Sequence, residues 1–188
     1  MKMEDLFRDA ININEAFDTR FDSIGWEHSY GNHLAEAILN GEKFLLYVEE
    51  STFTVDGKLK NFLNIAFARV VDGKVTQDLL NTKTSQSKQL GAVVSALREK
   101  IDELSKAQEI DAITFMVVSG EEKRIPFYMR ILMSKIYGLR PWQYRFSVKW
   151  FGGTALVATK ELLGPERKNA LEQEILHRRK QISFHFSE

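Results

Sequence analysis

The chain has 188 residues, room for one domain with a real core, and its 26 basic and 26 acidic side chains cancel. No net field therefore draws it to nucleic acid, anionic lipid or acidic substrates. The absence of cysteine excludes disulfides, thiol nucleophiles and cysteine-ligated zinc.

The opening segment MKMEDLFRDA carries Glu4, Asp5 and Asp9 where a signal peptide needs an apolar centre. No run reaches the length of a membrane span, so the expectation is a soluble, cytoplasmic protein. The first 42 residues are polar and weakly periodic, and they read as a helical N-terminal part. Short helices are expected over 4–10 and 32–39, the second placing Leu34, Ala35 and Ile38 on one face.

From Lys43 the pattern changes to strands, KFLLYVEE, KNFLNIAFARVV and KVTQDLLNTK, with Asp72 and Gly73 as a hairpin signal between the last two. The stretch TSQSKQLGAVVSALREKIDEL begins as a polar turn and becomes a helix over 90–104. Its residues Leu90, Val93, Val94, Leu97, Ile101 and Leu104 keep the spacing of one buried face. After Asp111, AITFMVVS is almost continuously apolar, as for a strand buried on both sides in the middle of a sheet.

A second helix is expected over 121–137, where Ile125, Met129, Leu132, Met133 and Ile136 recur at helical steps and Gly138 ends the run. YRFSVKWF and TALVATK flank Gly152 and Gly153, a hairpin by composition and spacing. Pro165 opens a charged helix with Glu166 near its start and Arg178, Arg179 and Lys180 near its end, the order the helix dipole favours. At the C-terminus Ile182, Phe184 and Phe186 alternate with polar residues. Such a strand either completes its own sheet or pairs with a partner's edge to make a homodimer.

The fold class is therefore α/β or α+β in a single domain over 1–188, with a core over 43–160 and a C-terminal helix and tail over 165–188. The histidines His28, His33, His177 and His185 show no two-histidine spacing on one helix, and no metal site is expected from them. Trp142, Tyr144, Phe146, Trp150 and Phe151 read as core or cross-strand aromatics rather than a base-stacking surface. The cluster of His177, Arg178, Arg179 and Lys180 reads as a solvated helix end.

This order of elements, with three local motifs, resembles the GCN5-related N-acetyltransferase (GNAT) superfamily, and in style the small acetyltransferase-like proteins of tailed bacteriophages. In that family a strand leads into an Arg/Gln-x-x-Gly-x-Gly/Ala turn whose backbone amides hold the coenzyme A pyrophosphate at a helix N-terminus. The corresponding register here is Gln86, Ser87, Lys88, Gln89, Leu90 and Gly91, continued by Ala92. Gln86 and Gly91 fit that motif, while Gln89 replaces a glycine.

Asp78 and Leu79 fall at the place of the family's frequent Asp-Leu pair, and Gln77 stands where some members carry a catalytic glutamate. An amide cannot accept a proton as a general base does, so Asp78, Glu49 or Glu50 would have to serve through a water. Tyr137 and Gly138, with Leu139, Arg140 and Pro141, are similar to the family's Gly-Phe-x-Pro. Ser134 occupies the position of its frequent tyrosine acid, with Tyr128 and Tyr137 as neighbouring candidates out of register.

The resemblance implies a mixed central sheet with helices on both faces, splayed strands around the pantetheine, and acetyl-CoA as cofactor. The implied activity is acetyl-CoA-dependent N-acylation of an amine on a small molecule or protein. The alternative is a catalytically inactive protein of the same fold that binds and modulates another macromolecule, such as a host factor. No membrane partner is expected under either reading.

Overall fold

The computed structural model describes residues 20–76, 83–118, 142 and 144–182. Four tight turns organise its first half. Tyr30 with Gly31, Asn40 with Gly41, Asp56 with Gly57, and Asp72 with Gly73 all have positive φ at both central positions. Two consecutive positive φ values define the hairpin turn whose twist matches that of its strands, and a glycine in the second position lowers its cost. Five strands result: β1 (Ser23–Ser29), β2 (Asn32–Leu39), β3 (Glu42–Val55), β4 (Lys58–Val71) and β5 (Lys74–Thr76).

The expected helix over 32–39 is thus corrected to strand β2. Its burial alternates, with His33, Ala35, Ala37 and Leu39 inside and Leu34 and Glu36 outside. The two flanking turns impose this two-residue period and override the helical spacing of Leu34 and Ile38. The helical reading of the N-terminal 42 residues fails over 23–39 for the same reason, and its piece over 4–10 lies outside the described residues. Ser51, Phe53 and Val55 also alternate inward, extending β3 beyond KFLLYVEE to the Asp56 turn.

After β5 come helix α1 (Lys83–Ala107), β6 (Ala112–Val118), the β7 (Tyr144–Trp150) and β8 (Gly153–Thr159) pair, and helix α2 (Pro165–Ile182). The strands form one mixed sheet in the order β1-β2-β3-β4-β6-β8-β7, with β5 paired on β4. β6 is interior as expected, parallel to β4 on one side and antiparallel to β8 on the other. Its Ala112, Ile113, Thr114, Phe115 and Val117 are buried. The architecture is α+β. The expected helix over 121–137 and residues 77–82 of the expected strand lie outside the described residues, while Lys83, expected to end that strand, begins α1.

The chain forms two compact units, residues 1–48 with 66–107 and residues 49–65 with 108–188, so β3 and β4 contribute to both. In the first, Ala35, Ala37, Leu39, Phe44 and Leu46 are buried on the strands, and Val93, Val94, Leu97, Ile101 and Leu104 on α1. In the second, Phe53, Val55, Phe62, Ala112, Val148, Ala155 and Val157 pack with Leu171 and Ile175 of α2. Leu171 and Ile175 are fully buried, each contributing about 1.5–3 kcal/mol. The Gly164 carbonyl accepts from Lys168 N at 3.0 Å. Pro165 therefore takes the first helical position, where a missing N–H costs nothing.

The Gly152 and Gly153 signal divides into two roles. Gly152, at φ 102°, belongs to the turn with fully exposed Phe151. Gly153 already lies in β8, where a Cβ would sit 2.6 Å from Val117 O and from the Trp150 ring. Ile182 ends α2 rather than starting a strand, and residues 183–188 lie outside the described residues. Among the described residues, no helix is long and apolar enough to cross a membrane.

Candidate functional site

The expected anion turn belongs to α1. Because the helix begins at Lys83, residues 86–92 lie inside it, and of these only Gln86 belongs to the four leading amides that a helix leaves unpaired. Gln86, Lys88, Gln89, Leu90, Gly91 and Ala92 are therefore helical residues, and Gly91 and Ala92 are buried. Gln89, also buried, donates from Nε2 to Glu42 Oε2. Glu42 Oε1 in turn faces Arg69 Nη1 at 3.5 Å. Gln89 thus links α1 to β3 beside an Arg–Glu pair.

A second polar group crosses the sheet where β3, β4 and β6 are neighbours. Asn64 Nδ2 donates to Glu49 Oε2 at 3.0 Å and approaches Ser51 Oγ at 3.5 Å, while Thr114 Oγ1 donates to Asn64 Oδ1. Asn64, Ser51 and Thr114 are all buried. Polar groups in such a place are tolerated because each has a partner. Glu49 Oε1 accepts from Arg178 Nη1 at 2.6 Å, and Arg178 Nε donates to Glu174 at 2.8 Å. Of the three candidate bases, Glu49 therefore has both carboxylate oxygens occupied by the fold. Glu50 accepts from Gln108 Nε2. Asp78 lies outside the described residues, as do Gln77, Ser134 and Tyr137.

A third cluster closes around buried Asp111. Its Oδ1 meets Arg167 Nη2 at 2.9 Å and Lys60 Nζ at 3.4 Å, and its Oδ2 accepts from Asn61 N at 3.3 Å. Arg167 also pairs with Glu161. The hydrogen bond that Arg167 donates to Glu161 leads the causes that hold its guanidinium above its ordinary range, with Asp111 adding to it against the effect of burial. This is a docking clasp for α2.

One feature escaped sequence reasoning. His28 and His33 are directly opposite in the β1–β2 register, with ring centroids 4.4 Å apart and planes 7° from parallel. Their separation of five residues matches no helical ligand spacing. The detectable signal was the Tyr30-Gly31 turn midway between them.

The aromatic reading holds for Trp142, which is buried, and for Phe146 and Trp150, which pack against the second core; Tyr144 and Phe151 are exposed, which corrects it for those two. In comparison with known proteins, no family model, no curated protein and no solved structure matches this chain.

Proposed function

We propose that this chain is an acetyl-CoA-dependent N-acyltransferase of the GNAT type, acting on an amine of a small molecule or protein. The observation that carries the reading is the order of strands: an antiparallel meander, a helix, and an interior strand parallel to β4, followed by a hairpin whose second strand lies inside. A mixed sheet of this kind fits the α+β class that the resemblance implies. The β4–β6 ladder runs from the Phe62–Ala112 pair to the Ile65–Phe115 pair, while β4 continues to Val71 and β6 to Val118. A short parallel ladder of this kind is consistent with the splayed strands of that family.

The pyrophosphate is then assigned to the amides of the first turn of α1, Lys83 to Gln86, because only a helix's leading N–H groups face outward. Gln86 is the one candidate contact that this shared turn retains from the sequence register. Catalysis is by positioning of thioester and amine rather than through Glu49, whose oxygens are engaged. The test is release of free CoA from acetyl-CoA in the presence of a panel of amines and basic peptides. Amine-dependent release supports the assignment, and none across the panel refutes it.

That engagement of Glu49 favours a second reading, a protein that keeps the fold, lacks transfer chemistry and binds another macromolecule. CoA binding without turnover would select it.

A further inference from the structure

We propose that His28 and His33 form a binding site for a divalent transition-metal ion that prefers imidazole nitrogen, independent of the acyl-transfer reading. The hairpin fixes the pair. With Tyr30 and Gly31 as a two-residue turn, Ser29 and Asn32 are its hydrogen-bonded closing pair, and the next pair inward, His28 and His33, does not exchange backbone hydrogen bonds. Side chains stand closest at such positions, and both point to the same face. The ligand nitrogens of the two rings lie within 4.8 Å of each other.

The environment divides the roles. His33 is 4% exposed and sits on a strand whose alternate residues, Ala35 and Ala37, are fully buried, so its ring is held by packing. His28 is exposed, which gives an ion access from solvent and lets this ring turn toward it. One buried and one exposed imidazole suit capture of an ion that arrives from solvent. Hard oxygen-seeking cations such as Mg2+ gain little from two imidazoles, so the site discriminates by ligand type.

The experiment is calorimetric titration of the full, chelator-treated chain with Zn2+, and separately with Mg2+, in a buffer that does not bind metal. The expected result is one Zn2+ per chain and no saturable heat with Mg2+. His28→Ala should weaken Zn2+ binding about tenfold or more, with an unchanged far-ultraviolet spectrum because His28 is exposed. His177→Ala, on exposed surface of α2, should leave the affinity unchanged. Absence of saturable Zn2+ binding at millimolar ion overturns the proposal, as does equal affinity in His28→Ala or loss of binding in His177→Ala.

Discussion

Arg178 and Glu49 meet at 2.6 Å although 129 positions separate them in sequence. Arg178 lies near the end of α2 and Glu49 within β3, and both side chains are about one-fifth exposed. The guanidinium also lies over the Phe62 ring, 5.8 Å from its centroid. Arg178→Ala should cost about 1–3 kcal/mol in urea denaturation, since it leaves a partly buried carboxylate with Asn64 alone. In a double-mutant cycle with Glu49→Gln, the two losses should sum to more than the double mutant loses.

Thr114 supplies the last hydroxyl of the same network. Thr114→Val preserves shape and removes the donor to Asn64 Oδ1 at a fully buried site. A loss of about 1–3 kcal/mol is expected in the same denaturation experiment. Leu171→Ala, which empties part of the second core without touching any polar group, should cost about 2–5 kcal/mol.

The glycines separate into three outcomes. Gly25 has ordinary backbone geometry and nothing within 4 Å of an added Cβ, so Gly25→Ala should be neutral or slightly stabilising. Gly57 is equally open but sits at φ +71°, so Gly57→Ala should cost about 1–2 kcal/mol from backbone strain alone. Gly153→Ala should cost more than either, because the new carbon meets backbone at Val117 O. Thermal denaturation of the three variants would give this ranking or refute it.

Gln89→Gly distinguishes the helical placement from a phosphate-facing turn. In the helix it removes the donor to Glu42 and adds a glycine to the interior, which alone costs about 1 kcal/mol. Destabilisation with unchanged CoA affinity is expected. Tighter CoA binding would return residue 89 to the ligand.

Strand β6, the hairpin at Asp72, the β7–β8 pair and helix α2 were legible because each carries its own local signal. Those signals are a continuous apolar run, a turn dipeptide, paired aromatics, and a proline with ordered charges. Strand β2 was not, because Leu34, Ala35 and Ile38 satisfy a helical spacing as well as a strand's. Only the turns at Tyr30-Gly31 and Asn40-Gly41 decide between them, and although Asn40-Gly41 is a hairpin dipeptide, Tyr30 carries no such signal at the other end of the strand. The start of α1 was misplaced because Thr84, Ser85 and Ser87 look like capping residues from either side of the boundary. The pair Arg178–Glu49 is a tertiary consequence of packing with no local signal, whereas His28–His33 follows only once Tyr30-Gly31 is read as a turn.

The central claim is that α1 presents its first turn to the pyrophosphate of coenzyme A. Calorimetric titration of the full chain with acetyl-CoA and with CoA tests it most directly. The account predicts saturable one-to-one binding of both, abolished when Gln86→Glu places a carboxylate beside the phosphates and retained when Gly25→Ala changes the chain elsewhere. No heat at millimolar ligand, or undiminished binding by Gln86→Glu, would contradict it.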